Sequence, residues 1–230
     1  MWNKYNKWVS KCYDNMIGVS SDFGVWQKTF EILTENIRET YRQQPDLPRD
    51  METFEYSLED DCDISGWLED FLDEMDMHQQ YNTLLHACTE LLSLFSWEGE
   101  SDNDLRFDLS MALKELGELE KAESYTRKWY TENPENHVAQ AAFIYIKIAQ
   151  KDYEECEKIA EKYEDVVCDD ETDMTFTALE KLFEATHNKK KLKEIRQKMK
   201  TYEEELEASF EYPDLDTDEW DLDDDDLPFN

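Results

Sequence analysis

The residues of this chain that could do chemistry are few in kind and scattered. Asp61-Cys62-Asp63-Ile64-Ser65-Gly66-Trp67-Leu68 opens like a calcium-binding EF-hand loop, with oxygen donors at alternate positions and a glycine at the turn. Such a loop closes on a bidentate glutamate, and Leu72 stands in that place. The same residues also spell the start of a helix, with Asp63 or Ser65 able to accept a bond from its first free N–H groups. The helix start is the expected reading. Asp223, Asp224, Asp225 and Asp226 could gather divalent cations only loosely, without fixed geometry. His78, His86, His137 and His187 do not pair with cysteine or carboxylate at a ligand spacing, so surface or groove-edge positions are expected. The sequence has no Gly-rich phosphate loop, no nucleophile elbow and no H-E-x-x-H. Carboxylate pairs abound, but among 58 acidic residues they single out nothing. The expectation is a non-enzyme with no cofactor and no bound metal.

Charge and cysteine usage narrow the setting. Against 58 acidic residues stand 24 basic ones, a formal charge of -34. Such a chain repels nucleic acid and anionic membrane surfaces, and attracts basic proteins at long range. Cys12, Cys62, Cys88, Cys156 and Cys168 are odd in number and include no C-x-x-C, so neither a disulfide framework nor a zinc site is suggested. Reduced cysteines buried as small hydrophobes are expected, as in a cytoplasm. Met1-Trp2-Asn3-Lys4-Tyr5 lacks a signal peptide's apolar core, Trp2 excludes myristoylation, and no run approaches the ~18 apolar residues of a membrane span. The expected partner is therefore another protein with a basic surface, met in the cytoplasm. Direct contact with nucleic acid or membrane is not expected.

The elements that would position these residues read as helices. Only 5 Gly and 5 Pro interrupt 230 residues, which disfavours a sandwich or barrel. Trp2, Tyr5, Trp8, Val9, Cys12, Tyr13 and Met16 form one helical stripe. Gly18 to Asp22 breaks it, with Ser21 or Asp22 available as an N-cap. A second stripe, Val25, Trp26, Phe30, Leu33, Ile37 and Tyr41, runs to about Gln44 and stops at Pro45 and Pro48. Residues 1–45 thus read as an N-terminal helical hairpin and 46–62 as an acidic connector. Helical pairs follow over 63–209, and 210–230 is an acidic tail expected to be disordered when alone. Trp220 and Phe229 lie in that tail beside Asp223 to Asp226. Seven Lys and Arg residues between Lys189 and Lys200 form the chain's one basic block, which the tail could cover.

Within 63–209 the chain says nearly the same thing twice. Windows 103–136 and 137–170, each of 34 residues, align without a gap. Gly117 and Lys151 fall at matching turns, Leu119 and Tyr153 follow them, and small Ala122 and Cys156 sit where two helices must approach closely. Leu105, Leu109, Ala112, Leu113 and Leu116 are expected inside one unit. Ala139, Ala142, Phe143, Ile146 and Ile148 are expected inside the next.

Residues 103–170 resemble tetratricopeptide repeats (TPR), on the 34-residue period, the Gly117 turn, the small residues and the closing Pro134. Residues 64–98 and 171–209 resemble degenerate flanking units. The resemblance implies an all-α, right-handed solenoid of helical hairpins, in which the first helix of each pair lines a concave groove for peptides or proteins. Carried over by alignment, the groove is lined by Asp104, Phe107, Met111, Lys114 and Glu115, then Val138, Ala141, Tyr145, Ile148 and Ala149. Glu69, Asp73 and Asp76 come from the earlier, weaker unit. This lining is acidic and apolar, unlike the Lys, Asn and Arg clamp with which family members grip acidic chaperone tails. It suits a basic or amphipathic segment. An adaptor, monomeric on its own, is the expected function. The alternative is an acidic inhibitor or immunity-type protein that blocks a partner's basic nucleic-acid-binding face, with contacts from Trp220, Asp223 to Asp226 and Phe229.

Overall fold

The structure is a computed structural model that describes residues 1–58, 62–99 and 101–210. Among these residues every regular element is a helix. In order they are α1 (Trp2–Met16), α2 (Gly24–Gln43), α3 (Met51–Tyr56), α4 (Ile64–Met77), α5 (Tyr81–Leu94), α6 (Asn103–Glu115), α7 (Leu119–Glu132), α8 (His137–Gln150), α9 (Glu154–Lys162), α10 (Asp173–Ala185) and α11 (Lys189–Phe210). No helix among them is long and apolar enough to cross a membrane.

One local device closes the first helix of five successive pairs. Gly18, Gln79, Gly117, Lys151 and His187 each adopt a positive φ, between 55° and 77°. At each, two backbone N–H groups fold back onto the last free carbonyls of the helix. After α8, Lys151 donates to Ile148 at 3.0 Å and Asp152 to Lys147 at 3.0 Å. After α10, His187 donates to Glu184 at 3.1 Å and Asn188 to Phe183 at 3.0 Å. The same two bonds recur after α1, α4 and α6. The pairs are therefore α1/α2, α4/α5, α6/α7, α8/α9 and α10/α11, with α3 standing between the first two.

Neighbouring pairs pack in sequence order. Helix α8 touches α6, α7, α9 and α10, and α5 packs on α6. Small residues allow the close approaches, since Ala112, Ala122, Ala139, Ala142 and Cys156 are fully buried. The N-terminal half is cored by aromatic rings. Trp67 stacks on Phe71 at 5.2 Å, and Phe71 on Phe30 at 5.0 Å. Phe54 of α3 lies between Trp2, Tyr41 and Phe95, with ring centroids 6.0, 5.2 and 5.6 Å away. The stretch expected as an acidic connector therefore contains a helix that inserts a fully buried ring into the core.

Several expectations about ends and faces change in detail. Asp63 caps α4, accepting from the Gly66 N–H at 2.8 Å. Because Ile64 to Met77 is helical, Ser65 to Leu72 cannot form a calcium loop, and Trp67 and Leu68 face the core. Asp22 does not cap α2 from its first position; its carboxylate takes the Gly24 N–H at 3.1 Å instead. In α8 the inward residue is Lys147, only 3% exposed, while Ile148 is half-buried. Lys147 is tolerated inside because Glu123, Gln150 and Asp152 surround its ammonium. His137, expected at the surface or the groove edge, is half-buried at the start of α8. Its Nδ1 lies 2.5 Å from the Tyr163 hydroxyl, which donates to Gln140 at 2.7 Å.

Candidate functional site

The groove residues expected from alignment fall on α4, α6 and α8. On α6, Asp104, Phe107, Asp108, Met111 and Glu115 are linked by three- and four-residue spacings (104/107, 104/108, 107/111, 108/111, 111/115), so they share one face of the helix. Phe107 and Met111 are half-buried and lean on α8 near Ala139 and Ala142. Tyr145 projects from α8 and meets Phe107 edge to face, with ring centroids 6.0 Å apart. Val138 packs beside Phe107 and Met111 at the start of α8, and Ile148 packs further along the same helix. Ala141 is fully buried and lines nothing. Lys114 is half-buried and bound to Glu115 at 2.7 Å, so its charge is spent within α6. An apolar wall of Phe107, Met111 and Tyr145 results.

Beside this wall lies a group of carboxylates. Asp73 and Asp76 on α4 and Asp104 on α6 are exposed, while Asp108 is half-buried. Burial, then the fields of Asp76, Asp104 and Asp73, push the Asp108 carboxyl up to about 7. Asp76, Asp104 and Asp73 are thus near enough for their charges to act on Asp108, and no Lys or Arg among the described residues forms an ion pair with any of the four. Partial burial, then Glu115 and Asp76, raises the Tyr81 phenol at the start of α5. Burial, then Glu180 of α10, raises Tyr145. The uncompensated acidic field thus lies over α4 and α6 beside the aromatic wall, since Glu180 of α10 is paired with Arg196 at 2.6 Å. It is a field and not a chelate, since no three acidic, histidine or cysteine side chains among the described residues are grouped to hold a metal ion.

Asp108, Tyr81 and Glu180 were not among the residues expected from alignment. Asp108 lies four positions after Asp104 and could have been found from that spacing. Tyr81 and Glu180 carry no such signal, because they reach the face only through the stacking of helices. Trp220, Asp223, Asp224, Asp225, Asp226 and Phe229 lie outside the described residues.

A second concavity, about 410 Å³, lies between the end of α9 and α11, lined by Tyr163, Phe183, Asn188, Lys191 and Lys198 among others. Its polar groups are engaged. Lys198 Nζ donates to the carbonyls of Tyr163, Glu164 and Val166 at 2.9, 2.6 and 2.7 Å. Lys191 pairs with Glu164 at 3.3 Å. This cleft serves packing.

Compared with known proteins, the chain matches no family model, no curated protein and no solved structure.

Proposed function

We propose that the chain is a TPR-like helical solenoid that works as a cytoplasmic adaptor, binding a basic, amphipathic segment of another protein along the face of α4, α6 and α8. The reading rests chiefly on Asp108 and its neighbours. Asp108 and the three carboxylates that act on it, with no ion-paired cation among the described residues, leave a field that a Lys or Arg side chain would neutralise. The adjoining wall of Phe107, Met111 and Tyr145 would receive the apolar side of the same segment. The recurrent left-handed turns and the packing of α6 on α8 and α8 on α10 support the solenoid.

A designed amphipathic peptide of Lys and Leu tests this, with the same peptide carrying Glu for Lys as its counterpart. Binding to the full chain is measured calorimetrically at about 0.15 M salt, where exposed charges more than about 8 Å apart are screened. The basic peptide should bind and the acidic one should not. Tyr145→Ala should weaken binding about tenfold, the equivalent of ~1.4 kcal/mol from one lost aromatic contact. Tyr56→Ala, at a ring 82% exposed outside the groove, should leave it unchanged. Equal effects of the two substitutions would mean that the peptide senses only the net charge, and the groove reading would fall.

A further inference from the structure

We propose that residues 214–226 of the acidic tail seat on the basic stripe of α11 in the same chain. This is independent of the groove. Lys189, Leu192, Lys193, Arg196, Gln197 and Lys200 line a shallow depression along one side of α11. Their three- and four-residue spacing makes them a single stripe.

The basic block of α11 divides between two tasks. Lys198 and Lys191 face the end of α9 and hold it, through three carbonyls and Glu164. Arg196 is tied to α10 through Glu180 and Glu184, each at 2.6 Å. The rest of the stripe holds nothing in place. Lys189 and Lys193 form no ion pair among the described residues, and Lys200 pairs only with Glu204 at 3.3 Å, both side chains being more than half exposed. Lys189 and Lys193 are therefore open to an anionic segment, beside the apolar Leu192.

Charge complementarity selects the occupant. From Glu211 to Asn230 the chain has ten acidic residues and no Lys or Arg, with Leu215, Trp220 and Leu222 interleaved. A free polyanion such as nucleic acid must approach against the field of the whole molecule. A tethered segment offsets that repulsion, because short tethers hold it at an effective concentration of roughly millimolar. Reach is sufficient. Lys200 lies ten residues and Lys189 twenty-one residues before Phe210 in one continuous helix. At ~1.5 Å per helical residue these are about 15 and 32 Å back from the helix end. Asp223 is thirteen residues beyond Phe210. An extended chain of that length spans up to about 43 Å. The spacing also suits. Alternate carboxylates such as Asp214, Asp216 and Asp218 recur about every 6.6 Å in an extended chain. Cations four residues apart on a helix recur about every 6 Å.

Zero-length carbodiimide coupling on the full chain tests the proposal, using an equal mixture of normal and ¹⁵N-labelled protein. Amide links from residues 214–226 should fall on Lys189, Lys193 and Lys200 severalfold more often than on Lys121 and Lys128, because the references share the tether and lack the stripe. Lys121 and Lys128 are fair references because their side chains are 72% and 75% exposed. The preference should vanish near 0.5 M salt, where screening acts within about 5 Å. Linked peptides should carry one isotope only. Mixed-isotope links would place the tail on another copy and overturn the proposal. An even spread over all exposed lysines, or no links to the stripe, would overturn it equally.

Discussion

Replacing Asp108 with Asn should stabilise this protein, and the gain should depend on pH in a particular direction. In the folded chain the Asp108 carboxyl is pushed up from 3.8 to about 7. The folded state therefore keeps a proton that the unfolded chain releases above about pH 4. Stability falls as pH rises from about 4 to 7, and the penalty is full above 7. A shift of roughly three units corresponds to about 4 kcal/mol as an upper bound. Asp108 is half-buried and its neighbours can turn toward water, so about 2 kcal/mol is the working figure. Asparagine keeps the shape and cannot ionise. At pH 8 the variant should gain about 2 kcal/mol, a rise in Tm of roughly 4–8 °C for a chain of this size. Near pH 4 the gain should disappear. Urea and thermal melts followed by helical circular dichroism at both pH values measure this. Asp46→Asn, at an exposed residue of the α2–α3 link, corrects for removing one charge from a chain of -34. Equal stabilisation at pH 4 and pH 8, or no more than Asp46→Asn gives, would show that neither burial nor the neighbouring carboxylates raise the Asp108 carboxyl in the folded chain.

Two further outcomes follow from the fold. Phe54→Ala should cost about 3–5 kcal/mol in urea unfolding, as for a core ring, because α3 locks the first helical pair to α5. A cost below about 1 kcal/mol, as at a surface site, would show that α3 is not part of the core. Gly117→Ala should destabilise by about 1 kcal/mol, since φ there is +76°, whereas Lys151→Gly should stabilise by a similar amount, since Lys151 carries φ +59° in the same role. Opposite signs in the same thermal melt are the expected result, and like signs would count against the shared turn.

Much of the helical layout was legible because its signals are local. The apolar stripes of α1 and α2, the stops at Pro45 and Pro134, and the 34-residue echo between 103–136 and 137–170 depend on residues close in the chain. The turns were only partly legible. Gly18 and Gly117 announce a left-handed backbone, but Gln79, Lys151 and His187 adopt it without any side-chain signature, because the bonds that make the turn come from the backbone itself. Helix α3 is hard to read because it has six residues in an acid-rich stretch; Asp50 caps it, taking the Thr53 N–H at 2.7 Å, and the rings of Trp2, Tyr41 and Phe95 hold Phe54 in place. Lys147 defeats pattern reading for the opposite reason. It occupies the inward place of Leu113 in the preceding unit, and its partners Glu123 and Asp152 come from either side in sequence. Of the candidate site, Phe107, Met111 and Tyr145 follow from the 34-residue alignment. The convergence of Asp73, Asp76, Asp104 and Asp108 follows from how α4 and α6 are placed, which no local pattern encodes.

The Lys198 clasp has a consequence for the order in which the chain is made. The carbonyls of Tyr163, Glu164 and Val166 lie just past α9, and the ammonium that satisfies them comes 32 to 35 residues later. A growing chain can complete α8 and begin α9, yet it cannot seal the end of α9 until α11 has emerged. Synthesis therefore leaves this seam open until α11 is made, and a product that stops before Lys198 keeps three carbonyls there without their donor.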